Sequence, residues 1–233
     1  MKKFTVIAGI IVCGVLALGF VCKSSYEDRG ISSLRTVEDV EALNCNVNQI
    51  FTKEDVEQFL PDVEEMLEGL SEDADIYIVK PLNHLRQYNF TLTQDVEVVE
   101  VLQGDALEKE TVRIVSNGGI YDQKYGVYEY DNSAPIYFGL TNLLFPENEY
   151  LVFLEPLKTN AYYEVKHYNP ADALFFAFNL TCDESTPISG GVNEIAYNDF
   201  GRSEFLCDSE ETLEHLQSFK KEVIEKAVSQ KQW

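Results

Sequence analysis

The alternation of apolar and polar positions is clearest from Asp75 to Leu102, DIYIVKPLNHLRQYNFTLTQDVEVVEVL. Ile76, Tyr77, Ile78 and Val79 form a short, nearly continuous apolar run, which predicts a strand covered on both faces. Pro81 lacks a backbone donor and is expected to end that strand or to place it at an edge. Phe90 and Leu92 then share one face, and Val96 and Val98 continue it with a period of two. Val99 and Val101 take over on the opposite parity. One extra residue does this, so a β-bulge is expected near Val98–Glu100. Gln103-Gly104-Asp105 is turn chemistry and closes the run. The two strands start a β-barrel or a small sheet.

Further strands follow. Thr111 to Val115 (TVRIV) is a third, ended by the turn Asn117-Gly118-Gly119. Tyr150 to Leu154 (YLVFL), after the turn Pro146-Glu147-Asn148, is apolar throughout and so is expected to be central. Ala161 to Tyr168, where Tyr163, Val165 and His167 alternate, predicts a fifth strand, and Leu174 to Leu180 a sixth.

Two stretches have helical period. In residues 51–70, Thr52 is placed as an N-cap, answered by Asp55, with Phe51 and Val56 at staple positions. Val56, Phe59, Leu60, Val63, Leu67 and Leu70 form one apolar stripe. Pro61 interrupts it, so a kink or two abutting helices are expected. Ser209 opens a last helix with Leu213, Leu216, Lys220, Val223 and Ala227 along one side and Glu210 and Glu211 in its first turn. The prediction is a mainly β, α+β fold of five or six strands, with an amphipathic helix before it and a helix after it.

The N-terminus is different. Lys2 and Lys3 precede roughly 19 uncharged, mostly apolar residues that end before Lys23, about the span of a bilayer core. The two lysines predict a cytoplasmic N-terminus with the bulk of the chain outside. Three fates are open: an uncleaved anchor through residues 4–22, cleavage after Gly19 behind the small residue Ala17, or lipid attachment at Cys22. All three place the folded part beyond the membrane. The expected organisation is a signal peptide or anchor over 1–23 and a linker over 24–50. A helix plus β-domain follows over 51–207 and a C-terminal helix over 208–233. Within the linker, Val37, Val40 and Leu43 predict a helical turn or two.

Charge narrows the partners. Removing Lys2 and Lys3 from the 18 basic residues leaves 16 against 40 acidic ones beyond residue 22, a formal −24. Such a surface repels phosphate backbones, so no nucleic-acid partner is expected. Basic proteins, cations and neutral glycans remain, as does a plain solubilising role for the charge. Of the five cysteines, Cys45, Cys182 and Cys207 lie beyond the apolar segment. A Cys182–Cys207 disulfide is the first pairing to expect, and three unpaired thiols the alternative. No metal-ligand spacing, phosphate loop or nucleophile motif is present, so neither a cofactor nor a catalytic residue is implied. His84 and His167 could meet across strands, although surface or structural roles suit each of them. Tyr121, Tyr125, Tyr128, Tyr130 and Tyr137 crowd one connection. They suit either a ligand-binding surface or packing over the barrel mouth.

The order of pieces, ADIYIVKPL, the "VxEVLxGD" of Val98 to Asp105, TVRIV, a glycine turn and FPENEYLVFL (Phe145 to Leu154), resembles a group of exported or membrane-anchored bacterial proteins. Their core is similar to the OB-like barrel of netrin modules and tissue inhibitors of metalloproteinases. The resemblance covers roughly residues 60–170. It implies an OB-like barrel and a binding module, and it transfers no catalytic residue. The expectation is therefore a non-catalytic extracytoplasmic binding module for a protein or a cell-wall glycan. The alternatives are an envelope hydrolase using carboxylates and a structural subunit of an envelope complex.

Overall fold

In the computed structural model, β2 (Asp75–Tyr88) and β3 (Thr91–Gln103) pair antiparallel along almost their whole length. The residues described are 34–42, 45–47, 50–70, 73–88, 91–115, 119–120, 134–137, 142–158, 163–172, 174–181, 185–188, 196–200 and 202–229. They belong to a compact unit that begins at Ser33. The other strands are β1 (Cys45–Val47), β4 (Thr111–Val115), β5 (Gly119–Ile120), β6 (Ala134–Tyr137), β7 (Tyr150–Pro156), β8 (Lys166–Pro170) and β9 (Ala177–Asn179). Among the described residues there are also four helices, α1 (Val37–Glu41), α2 (Lys53–Phe59), α3 (Val63–Gly69) and α4 (Glu210–Ser229), and a short 3-10 turn at Tyr197–Phe200.

Strand order explains the closure. The large sheet runs β2-β3-β4-β8-β7-β9, and β2 also pairs β7, so β2, β3, β4, β8 and β7 form a closed five-stranded barrel with β9 added beside β7. All of its pairings are antiparallel except β4 with β8. This is the arrangement of an OB-like barrel. A separate small sheet has the order β1-β6-β5.

β2 and β7 are apolar on both faces because they separate two cores. Tyr77 and Val79 from β2, with Tyr150, Val152 and Leu154 from β7, point into the barrel with Val96, Val98, Val112, Ile114 and Tyr168. Ile76, Leu151 and Phe153 point the other way, into a second core with Val56, Val63, Phe178, Leu213, Leu216, Phe219 and Val223. The helices thus cover the β2–β7 wall. Each fully buried Phe or Leu in this layer contributes about 1.5–3 kcal/mol of hydrophobic stabilisation.

The local predictions meet specific outcomes. Thr52 caps α2 through a reciprocal box with Asp55. Leu60, ahead of Pro61, is extended (ψ 111°), so the stretch divides into two short helices rather than one. A register shift between Ile78 and Val79 leaves Val99 unpaired on β3, at the expected bulge. Pro81 does not end β2. It lies inside a 14-residue strand, next to a further shift between Pro81 and His84 that loops out Leu82 and Asn83. The β7 partner stops at Val79, so Pro81 lies where β2 has lost that neighbour. Asn83 adopts φ 51°, and its side chain accepts from Val37 N at 2.9 Å and donates to Glu38 Oε2 at 2.9 Å. The irregularity therefore binds α1, within the stretch expected to be a linker, to the barrel. The fifth and sixth strands begin later than their alternation suggested, at Lys166 and Ala177.

Glu204 and Lys220 are both buried and meet at 2.7 Å. The second Glu204 oxygen accepts from the Asn179 backbone at 2.6 Å, on β9. One carboxylate thus joins α4 to the last strand of the sheet. Among the described residues no helix is long and apolar enough to cross a membrane, and residues 4–22 lie outside them.

Candidate functional site

The wall opposite the helices carries a row of polar side chains. Val96 on β3 and Val112 and Ile114 on β4 point inward, so Asp95 and Arg113 point outward. The register places His84 opposite Asp95, Asp95 opposite Arg113, and Arg113 opposite His167. Four strands, β2, β3, β4 and β8, each contribute one member.

Asp95 is the pivot. Arg113 Nε donates to its Oδ1 at 2.5 Å and Arg113 Nη2 to its Oδ2 at 2.8 Å, a two-pronged pair. His84 Nδ1 meets Oδ2 at 2.6 Å. Burial works against the Asp95 charge. The hydrogen bonds from Arg113 and His84 outweigh it and hold the carboxyl below the usual carboxylate range. The carboxylate fixes the ring of His84 with its Nδ1 proton inward, and Arg86 Nε donates to the remaining nitrogen, Nε2, at 3.4 Å. At the other end Tyr163 lies over His167, ring centres 4.1 Å apart and 34° from parallel, and is half exposed.

In OB-like barrels the outer face of the second and third strands, between the first and fourth loops, is the usual ligand surface. Here those strands are β3 and β4, and Tyr163 lies on the β7–β8 connection. The row coincides with that surface. Its chemistry is planar, directional and rigid, and among the described residues no hydroxyl or thiol bonds to either nitrogen of His84. The arrangement suits recognition of a polar ligand better than attack on one.

No family model matches the chain, and no curated protein matches it either.

A second polar group lies at one end of the barrel. Tyr77 Oη donates to Asp75 at 2.5 Å and accepts from the Ala106 backbone at 3.1 Å. Tyr168 Oη is 3.4 Å away. Asp75, Gly104, Glu155 and Lys158 line an open groove of about 610 Å³. Burial holds the Asp75 carboxyl above the usual range, against the Tyr77 bond, which favours its charge. Burial also pushes the Tyr168 hydroxyl up to about 12. A carboxyl whose folded pKa is raised binds its proton more readily folded than unfolded. Its contribution to stability therefore falls as pH rises from the unfolded carboxylate value, near 4, through the folded one. Between pH 4 and pH 8 the melting temperature of the natural chain, taken relative to Asp75→Asn, is expected to decline. A difference constant over that range removes Asp75 from the account.

The residues singled out in the sequence distribute unevenly. Tyr121, Tyr125, Tyr128 and Tyr130 lie outside the described residues, as do Cys22 and Cys182. Tyr137 is in β6, opposite Gly119. Cys207 is fully buried and has no disulfide partner among the described residues, and its thiol is pushed up to about 12 by burial first and by Asp208 beside it. His84 and His167 share a row, but β3 and β4 stand between them, so they do not meet. Asp95, Arg113 and Arg86 carried no sequence signal. Only the expectation that His84 and His167 could meet across strands hinted at the row.

Proposed function

We propose that the chain is a non-catalytic binding module displayed on the outer side of a bacterial membrane, held there or exported by residues 4–22, with its ligand face on β2, β3, β4 and β8. The observation that carries this reading is the in-register row His84–Asp95–Arg113–His167, extended by Arg86 and Tyr163. A buried charge pair with a fixed imidazole is an organised surface. The long apolar stretch behind Lys2 and Lys3 supports the address. The ligand is a cell-wall glycan or an envelope protein.

The test compares the purified full chain with an Arg86→Ala/Tyr163→Ala variant for retention on cell-wall material and on solubilised envelope, at moderate salt to suppress charge-driven adhesion. Both residues are partly exposed, so melting is expected to move by no more than a few degrees. Retention on one of the two materials is expected to drop at least tenfold. Equal retention of variant and natural chain on both refutes this face as the binding surface.

A further inference from the structure

We infer that the row recognises a glycan carrying a carboxylate, with Arg86 as the carboxylate anchor and the Tyr163–His167 pair as the platform for a sugar ring. This rests on the binding face proposed above and names its ligand class.

Arg86 is the member of the row with donors to spare. Arg113 commits Nε and Nη2 to Asp95, whereas among the described residues Arg86 donates only Nε, to His84, and is half-buried beside it. Its two terminal nitrogens form the fork that matches a carboxylate. The fork is held in place because its Nε is engaged, so less freedom is lost on binding.

Charge selects the size of the anion. Arg86 and Arg113 place two guanidinium groups beside the Asp95 carboxylate, within a chain of net charge −22. A polyphosphate would meet the field of the whole surface, while a ligand with one carboxylate per sugar meets mainly the local fork. The other end supplies the second element. Tyr163 is 49% exposed, and its ring rests on His167, giving a flat surface for the C–H face of a pyranose. Three strand spacings separate the β2 and β8 ends, about 14 Å at ~4.8 Å each. That length takes more than one sugar ring.

The topology argues against an extended peptide. A peptide strand docks by main-chain bonds to an open sheet edge. β3 lies between β2 and β4, β4 between β3 and β8, and β8 between β4 and β7. Among the described residues β2 beyond Val79 lacks a second strand, but there Leu85 N already donates to Arg35 O at 2.7 Å, so the face offers side chains rather than a run of open main chain.

The experiment uses two matched pairs of ligands and the full chain, in a detergent without a sugar head group. One pair is N-acetylglucosaminyl-N-acetylmuramic acid against di-N-acetylchitobiose, which differ by a lactyl carboxylate. The other is digalacturonate against its methyl ester. Titration calorimetry is expected to show at least one acid binding tenfold or more tightly than its neutral partner. Arg86→Gln is expected to erase that preference while leaving the weak neutral binding, and Tyr163→Ala to weaken acid and neutral forms alike. Equal binding of acid and neutral forms overturns the carboxylate anchor and leaves the glycan face standing. Binding of an acidic peptide, sensitive to Arg86→Gln, with no binding of either acid overturns the glycan class. If no sugar binds and envelope retention is also insensitive to the Arg86→Ala/Tyr163→Ala variant, the binding face itself falls.

Discussion

Replacing Lys220 with methionine is expected to destabilise the fold by about 3–5 kcal/mol, because it leaves the Glu204 carboxylate buried without its cation. Both side chains are under a tenth exposed, and they meet at 2.7 Å. Methionine retains most of the lysine stem, so the loss is electrostatic rather than a cavity. Without the Lys220 ammonium, burial favours the protonated form of Glu204. The penalty is therefore largest at high pH and shrinks as pH falls and the carboxylate takes up its proton. Urea denaturation at pH 7.5 and pH 5 checks both points through the midpoint at constant slope. The double variant Glu204→Gln/Lys220→Met is expected to recover a large part of the loss, since no charge then remains buried. A single variant within 1 kcal/mol of the natural chain at pH 7.5 shows that the pair does not hold α4 to β9.

Gly104→Ala is expected to destabilise by about 3 kcal/mol or more, from a strained backbone and from overpacking together. Gly104 has φ +123°, a conformation that side chains rarely tolerate. A methyl group there would fall against Asp75 Cγ and lie 2.5 Å from Tyr77 Oη. Tyr77 could yield only by giving up its bonds to Asp75 and Ala106. For a domain of this size the melting temperature should drop by about 6–12 °C. Asp105→Ala, one residue on and exposed, should stay within about 0.5 kcal/mol. A Gly104→Ala variant that melts like the natural chain shows that the Asp75–Tyr77–Ala106 contacts are dispensable.

Local chemistry was legible in the sequence where it acts locally. The Thr52 cap, the break at Pro61, the bulge at Val99 and the buried side of α4 all follow from residues a few positions apart. Pro81 marks an edge rather than an end of β2, because a proline can remain in a strand where one neighbour is missing, and the end of the β2–β7 pairing at Val79, which decides between the two, cannot be read from β2 alone. Lys166–Pro170 begins later than its alternating residues suggested because its partners, β4 and the end of β7, decide where the ladder starts. The polar row is the extreme case. Asp95 is one of 40 carboxylates and Arg113 lies inside a plain TVRIV strand. Nothing distinguishes them until three separate registers, including one parallel pairing, place them side by side.

That pairing pattern also has a consequence for the order in which the molecule assembles. The β2–β3 hairpin joins neighbours in the chain and can form on the microsecond scale of isolated hairpins. Closure cannot, because β2 must wait for β7, roughly seventy residues later, and β4 for β8. The entropy of closing those loops is lost before the contacts repay it, which slows folding towards milliseconds or seconds. During synthesis the apolar outer face of β2, with Ile76 and Ile78, emerges well before the α4 residues that cover it. A chain with this topology is most exposed to aggregation, and most in need of protection, in the interval between its first hairpin and its last helix.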